Sequence, residues 1–168
     1  MEQLWSPWRA KYINNFKHEN NNESECFFCE AINSCKSDFT NLVVYNANKS
    51  IVIMNKYPYN NGHLLIAPKT HKCDLNTLDN DELNEIIKLQ QISVNILNNI
   101  YLPHGFNIGA NIGRAAGAGV PGHLHFHILP RWNGDTNFLP IIAETKVISE
   151  SLEDTYNKIS EAFREFFR

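Results

Sequence analysis

The chain lacks any stretch of about 18 consecutive apolar residues, the length that indicates a membrane-spanning helix. It also lacks the uninterrupted apolar segment of a secretory signal, because Glu2, Arg9 and Lys11 break up its first residues. Its net charge of −3 over 168 residues gives no overall attraction to nucleic acid, which is itself negatively charged. We therefore expect a cytoplasmic protein with no membrane or nucleic-acid partner, in which local donors hold any anionic ligand.

Internal repeats, low-complexity segments and linkers long enough to divide the chain are also absent. The length fits one domain that buries a full core, and 43% apolar with 20% charged residues is ordinary for a globular protein. We expect a single domain over residues 1–168, with an aromatic amino-terminal arm over 1–25 and a carboxyl-terminal helix within 148–168.

What the chain does contain is a run of alternating histidines, Gly122-His123-Leu124-His125-Phe126-His127-Ile128-Leu129. A strand turns successive side chains to opposite faces. The pattern therefore predicts a strand over 122–129 with His123, His125 and His127 exposed side by side on one face. Imidazole changes protonation near neutral pH and is a common metal ligand. Three together indicate either a metal site or nucleophilic and acid–base chemistry.

A loop rich in glycine and alanine, residues 113–122, leads into this strand. Such a loop lets backbone N–H groups approach phosphate oxygens and turn toward them. No Lys-Ser or Lys-Thr pair follows the glycines, which excludes a P-loop. A strand rather than a helix is predicted next, which excludes a dinucleotide-binding fingerprint. We interpret the loop as a phosphate cradle beside a nucleophile.

Apolar runs and turn residues predict the remaining elements. A hairpin is expected from residues 42–45 and 51–54, a third strand from 63–68 and a fourth from 106–111. The clearest helix spans 79–100, where Asp79 and Glu82 form a capping-box pattern before apolar positions that include Ile86, Ile87 and Leu97. A last amphipathic helix covers roughly 150–167. Strands with hairpin-like connections, together with helices, indicate an α+β fold.

Four cysteines are present, and two of them form the close pair Cys26-Phe27-Phe28-Cys29, whereas Cys35 and Cys73 stand apart. In a reducing compartment such a pair indicates metal binding or redox chemistry. No βαβ pattern surrounds it, which disfavours a thioredoxin-like role. The pair is therefore interpreted as half of a zinc site with two cysteines and two histidines.

The pattern His123-x-His125-x-His127, followed by two apolar residues, resembles the signature of the histidine triad (HIT) superfamily of nucleotidyl hydrolases and transferases. Residues 130–138 after it, and residues 4–9 at the amino end, resemble the bacterial branch of diadenosine polyphosphate phosphorylases or hydrolases. The resemblance covers most of the chain. It implies a five-stranded antiparallel sheet with a long helix packed on it, usually in a homodimer.

The resemblance also implies roles for individual residues. His125 would be the nucleophile that forms a transient nucleotidyl-histidine, and His127 would donate to the α-phosphate. A backbone carbonyl near His123 would accept the proton on the other ring nitrogen of His125 and fix its tautomer. His63 would support the catalytic region, and Asn55 would hold the nucleotide ribose. The remaining phosphate oxygens would be held by Asn111 and by the N–H groups of Gly117, Ala118, Gly119 and Val120.

Zinc-bearing relatives complete their metal site with a histidine at the position of His71 and with the first triad histidine. By this resemblance, Cys26, Cys29, His71 and His123 would form a structural zinc site that is closed to water and pins the amino-terminal segment to the sheet. The other two cysteines would remain free thiols. No organic cofactor is implied.

The chain departs from many hydrolase relatives, which carry a glutamine or serine a few residues before the triad to help protonate the leaving group. Here Ala118 to Pro121 offer no polar side chain. The open space favours inorganic phosphate as acceptor, and hence a phosphorylase that cleaves a dinucleoside polyphosphate such as diadenosine tetraphosphate at the α-phosphate. Two alternatives stay open. One is a hydrolase of dinucleoside polyphosphates or nucleoside phosphoramidates, and the other is a nucleotide- or zinc-binding module without turnover.

Overall fold

The computed structural model describes residues 26–34, 39–137 and 147–168. In chain order, the elements are helix α1 (Phe27–Asn33), strands β1 (Val43–Asn46), β2 (Ser50–Met54) and β3 (Leu64–Pro68), helix α2 (Asn80–Tyr101), strands β4 (Gly105–Gly109) and β5 (Phe126–Arg131), and helix α3 (Leu152–Phe166). The aromatic arm over 1–25, Cys35 and Phe138 lie outside the described residues. Within the described ranges, no helix is both long and apolar enough to cross a membrane.

The five strands form one antiparallel sheet in the order β1-β2-β3-β5-β4. Strands β2 and β3 lie in the core, and every residue of both is buried. Their aliphatic and β-branched side chains suit strands that are covered on both faces. The predicted α+β fold with a five-stranded antiparallel sheet is confirmed.

Helix α2 packs on β2, β3 and β5. It begins with the predicted capping box: the Asp79 carboxylate accepts from the N–H of Glu82 at 2.7 Å, and the Glu82 carboxylate accepts from the N–H of Asp79 at 2.8 Å. Ile86 and Leu97 are buried as predicted, but Ile87 is 62% exposed. Adjacent positions on a helix lie about 100° apart, so Ile87 turns away from the sheet that covers Ile86.

The triad strand is shorter than predicted, because β5 begins at Phe126 rather than at residue 122. His123 to His125 form an irregular segment that leads into it. The N–H of Leu124 donates to the carbonyl of Lys72 at 2.6 Å, so this segment is held by the chain that follows β3. The fourth strand likewise ends at Gly109, before the predicted residue 111. The predicted exposure of the histidines is wrong for two of them, since His123 is 1% and His125 is 5% exposed.

Helix α1 is not predicted by the sequence pattern. Its Phe28 and Ala31 are buried, and the two cysteines of the close pair lie at its amino end. Helix α3, in contrast, matches the predicted carboxyl-terminal helix and packs against β1 and α2. The site described next lies between α1, the segment after β3 and the segment before β5.

Candidate metal centre and histidine cluster

Four predicted metal ligands, two cysteines and two histidines, converge in the structure. Cys26 caps α1, Cys29 lies in its first turn, His71 follows β3 and His123 precedes β5. Their donor atoms all lie within 4.8 Å of one another. The Nδ1 atom of His123 is 3.3 Å from the Sγ of Cys26 and 3.6 Å from the Sγ of Cys29, and the Sγ of Cys29 is 3.2 Å from the Nδ1 of His71. We call this group the metal centre.

These separations suit a tetrahedral ion. With metal–sulfur bonds of about 2.3 Å and metal–nitrogen bonds of about 2.0 Å, adjacent ligands of a tetrahedron stand about 3.5 Å apart. The Nε2–H of His123 donates to the carbonyl of Pro68 at 2.8 Å, which leaves the lone pair of Nδ1 directed at the thiols. Burial lowers the pKa of His123 to about 4, so the ring is neutral at physiological pH. The donor set therefore can form a metal site.

His125 has a defined tautomer. Its Nδ1 lies 2.8 Å from the carbonyl oxygen of His123. Because a carbonyl can only accept, Nδ1 carries the proton and Nε2 keeps its lone pair. Burial lowers the pKa of His125, so this neutral form persists below the usual range of histidine. This hydrogen bond is the one that the sequence-based assignment expects near His123.

His63 and His127 form a second, connected pair. The N–H of Tyr59 donates to the Nδ1 of His63 at 3.2 Å, and the Nε2 of His63 lies 2.9 Å from the Nδ1 of His127. A backbone N–H can only donate, so His63 is protonated on Nε2 and donates to His127. His127 then carries its own proton on Nε2. A backbone amide thus fixes two imidazole tautomers in series.

Burial and a neighbouring imidazole keep this pair neutral. The pKa of His63 falls to about 3, chiefly through desolvation and then through repulsion from His127. The pKa of His127 falls to about 4 for the same first reason, with His125 as the neighbour. The rings of His125 and His127 are 5.1 Å apart between centroids. A neutral acceptor nitrogen on His125 therefore lies close to a neutral His127 that presents an N–H.

Asn55 lies beside His63, whereas Asn111 contacts the glycine-rich loop. The side-chain oxygen of Asn55 accepts from the N–H of Tyr57 at 2.9 Å, and its amide nitrogen lies 3.3 Å from the Nδ1 of His63. The amide of Asn111 donates to the carbonyl of Gly117 at 3.4 Å. The predicted ribose and phosphate contacts of these two residues stay predictions.

The glycine-rich loop turns back on itself at Arg114–Ala116. Gly113 and Gly117 have φ values of 79° and 85°, which favour glycine. The N–H of Gly117 donates to Arg114 at 3.0 Å, and that of Ala118 donates to Gly113 at 3.3 Å. Among the described residues, the N–H groups of Gly119 and Val120 have no such partner. Two of the four predicted phosphate donors are thus engaged within the loop, while the other two are open.

One cavity in the structure lies along α1, and another is lined in part by His63. The first, of about 350 Å³, is lined by Phe27, Ala31, Phe39 and Lys56 among others. The second, of about 240 Å³, is lined by residues that include His63, Lys56 and Glu150. His125 lines neither cavity directly, but the ring of Phe28 lies 4.9 Å from both Phe27 and His125. Sequence reasoning missed the α1 residues because no periodic pattern marks that helix.

Arg131 and Asp135, which belong to the segment after the triad, form a bidentate ion pair at 2.6 and 2.8 Å. Arg131 also donates to the side chain of Asn107 on β4 at 2.6 Å, and Asn60 donates to Asp135 at 2.8 Å. This network joins the end of β5 to β4 and to the loop before β3. The network thereby holds the loop that contains Tyr59, whose N–H donates to the Nδ1 of His63.

Comparisons with known proteins show what this chain is similar to. The model of the HIT domain matches residues 36–134. The chain is 35% identical over 157 residues to a Mycobacterium tuberculosis protein named AP-4-A phosphorylase, a match that covers 92% of this chain and 80% of the relative. Its fold superposes on a hypothetical histidine triad nucleotide-binding protein from Sulfolobus tokodaii with a TM-score of 0.67 and 31% identity, over 85% of this chain and 95% of that one. A zinc-bound histidine triad family protein from Mycobacterium smegmatis gives a TM-score of 0.68 at 23% identity over 87% of this chain and 98% of that one, a likeness of fold alone.

Proposed function

Because this chain belongs to the HIT family of nucleotide hydrolases and transferases, we propose that it cleaves dinucleoside polyphosphates through a covalent nucleotidyl-histidine, with inorganic phosphate as acceptor. The single observation that carries the proposal is the hydrogen bond from His125 to the carbonyl of His123. It holds the proton on one ring nitrogen and leaves the other as a nucleophile.

In the first step, the Nε2 of His125 attacks the α-phosphorus. A P–N bond forms while the bond from phosphorus to the bridging oxygen breaks, and the rest of the dinucleotide leaves with that electron pair. The positive charge that develops on the His125 ring is stabilised by the carbonyl of His123 at Nδ1. Since His125 is only 5% exposed, attack is limited to a phosphorus atom that bound substrate brings to it.

His127 would stabilise the α-phosphate during both steps. Its Nε2–H is the end of the series that begins at the N–H of Tyr59 and passes through His63. A neutral donor at this point can hydrogen-bond to a non-bridging oxygen as charge develops there. The N–H groups of Gly119 and Val120 would supply further donors to the phosphate oxygens.

In the second step, inorganic phosphate attacks the nucleotidyl-histidine. A P–O bond forms, the P–N bond breaks and His125 regains its lone pair, so that diadenosine tetraphosphate plus phosphate gives ADP and ATP. The absence of a polar side chain from Ala118 to Pro121 supports phosphate over water, because no group there orients a water molecule or protonates the leaving oxygen. The M. tuberculosis relative is named AP-4-A phosphorylase, which supports the same reaction.

The cavity along α1 is proposed to hold the base. Two of its lining residues, Phe27 and Phe39, offer aromatic surface. A third, Lys56, follows Asn55 in the sequence, so the cavity lies close to the proposed ribose contact. A volume of about 350 Å³ suits a nucleoside. We add Phe27 and Ala31 to the proposed binding residues.

Zinc is the proposed ion of the metal centre. Two cysteine sulfurs and two histidine nitrogens form a donor set that zinc takes in structural sites, and the separations of these atoms fit its tetrahedron. When bound, zinc would cross-link α1 to the segments after β3 and before β5. Loss of zinc would therefore release the amino end of α1.

The proposed assembly is a homodimer formed through β4. This strand is at the edge of the sheet, so it offers unpaired backbone groups, and its Ile108 is 48% exposed. Exposed Leu102 and Ile112 flank it. The opposite edge strand, β1, is contacted by α3, whose Tyr156 hydroxyl donates to Val43.

The proposed reaction is tested by incubating the purified chain with diadenosine tetraphosphate, with and without inorganic phosphate, and identifying the products. We expect ADP plus ATP only when phosphate is present, and a loss of at least about a thousandfold for His125→Ala. The matched control is His104→Ala, since His104 is an exposed imidazole outside the cluster.

Each other set of products would assign a different activity to the chain. AMP plus ATP without phosphate would assign a hydrolase. Turnover of adenosine 5′-phosphoramidate but not of the dinucleotide would assign a phosphoramidase. Nucleotide binding with no product would leave a binding module, and near-normal activity of His125→Ala would remove the nucleophile assignment.

A further inference from the structure

His123 connects the metal centre to the proposed nucleophile. Its Nδ1 lies among the thiols, its Nε2–H donates to Pro68, and its backbone carbonyl accepts from the Nδ1 of His125. A shift of this one residue would therefore change both the metal centre and the hydrogen bond that positions the ring of His125. Among the described residues, no other contact holds the Nδ1 proton of His125.

A second contact joins the same two sites. Phe28 lies between the two cysteines in sequence, and its ring centroid is 5.0 Å from that of His123 and 4.9 Å from that of His125. Phe28 is fully buried. The helix that carries the cysteines thus also packs against the nucleophile.

Helix α1 has little stability of its own. It contains seven residues, and its amino cap, Cys26, makes no side-chain capping hydrogen bond. Isolated helices shorter than about 12 residues are marginal in water, so tertiary contacts must hold this one in place. The two cysteine side chains, directed at His71 and His123, are such contacts.

We propose that occupancy of the metal centre holds the ring of His125 in place against the carbonyl of His123, so that His123 and Phe28 act as positioning residues and metal binding controls nucleotidyl transfer. This proposal rests on the proposed function of His125. It differs from a purely structural zinc site, because a structural site would change the stability of the chain and leave the His125 ring of the folded protein unaltered.

The test uses the full chain labelled with ¹⁵N-histidine. Side-chain nitrogen shifts of His125 are recorded at one fixed pH after chelation and during stepwise addition of zinc, and circular dichroism reports folding in the same samples. We expect a single Nδ1–H tautomer with zinc and a mixture of tautomers without it, in proportion to zinc occupancy. The rate of nucleotidyl-histidine formation should fall at least about tenfold in the zinc-free protein.

Matched variants separate the two sites. Cys29→Ser should reproduce the zinc-free spectrum, whereas Cys73→Ser, the same change at an exposed cysteine outside the centre, should not. His71→Cys keeps four ligands and should restore the single tautomer when zinc is added. If chelation unfolds the chain, His71→Asn is used instead, because it weakens zinc binding and leaves the other three ligands in place. In this variant the His125 tautomer should still follow zinc occupancy.

A folded zinc-free protein with the His125 tautomer unchanged overturns the proposal. So does a tautomer that is insensitive to occupancy in His71→Asn. Failure of the proposed function is distinguishable, because a zinc-loaded chain that forms no nucleotidyl-histidine still reports in the spectrum whether zinc sets the His125 ring.

Discussion

At the scale of single residues, backbone groups fix the tautomers of four chemically identical side chains. The carbonyl of Pro68 fixes His123, the carbonyl of His123 fixes His125, and the N–H of Tyr59 fixes His63 and through it His127. The alternation of histidines in the sequence predicts that His123, His125 and His127 lie close together. It cannot predict their tautomers, because the partners come from backbone atoms as many as 55 residues away.

The pH dependence of activity follows from these tautomers. The proposed series requires neutral His63 and His127, whose pKa values are lowered to about 3 and about 4 from 6.5. Activity should therefore persist below pH 6.5 and fall as pH approaches about 4, which kcat/KM measured from about pH 4 to about pH 8 would show. A decline centred near 6.5 would contradict the series.

The same shifts affect stability in a defined direction. Because the folded-state pKa values of His63 and His127 lie below the unfolded value of 6.5, the unfolded chain binds protons first as the pH falls. Their contribution to the free energy of unfolding is thus complete above pH 6.5 and is lost progressively below it. Circular dichroism at each pH separates this loss from a loss of catalysis.

At the scale of elements, the helices show what a sequence pattern can and cannot predict. Helix α2 was predictable because its length, periodicity and capping box agree. Helix α1 was not predictable, because its seven residues make only about two helical turns, too few to show a periodic apolar pattern. Its position also depends on contacts of its cysteines with His71 and His123. The triad segment before β5 was predicted as strand because alternation alone does not show which residues find a hydrogen-bonded partner strand.

Glu82 links helix α2 to the segment that carries His71. Besides capping the helix, its carboxylate accepts from Thr70 at 2.6 Å and from Lys72 at 2.7 Å, and the side chain is 3% exposed. Glu82→Ala should lower the free energy of unfolding by about 3 kcal/mol, because it leaves these donors unpaired. It should also weaken zinc binding, since Thr70 and Lys72 flank His71.

Urea unfolding and competition with a zinc chelator measure the two effects of this change. The matched control is Glu161→Ala on the exposed side of α3, which should alter neither quantity measurably. A stable Glu82→Ala protein with unchanged zinc affinity would show that the cap does not support the metal centre.

At the scale of the whole molecule, sequence patterns predicted the strands, and the family resemblance implied the five-stranded sheet, but the patterns alone did not predict how the site closes. The five strands follow from local runs of apolar residues, whereas the metal centre joins Cys26 to His123 across 97 positions. Spacing shows which residue types are available, and only the fold brings them within bonding distance. The resemblance to a family supplied those long-range assignments, since its members share the fold.

The edge position of β4 leads to a prediction about assembly. If two copies pair through this strand, light scattering should give about twice the mass of one 19.3 kDa chain. Ile108→Lys places a charge on the exposed apolar side chain of the strand and should yield a monomer with an unchanged circular dichroism spectrum. Leu75→Lys, a matched change at an exposed leucine in the turn before α2, should leave the dimer intact. A wild-type chain that is monomeric at all concentrations would remove β4 as an interface, and dissociation by both variants alike would indicate a non-specific effect of added charge.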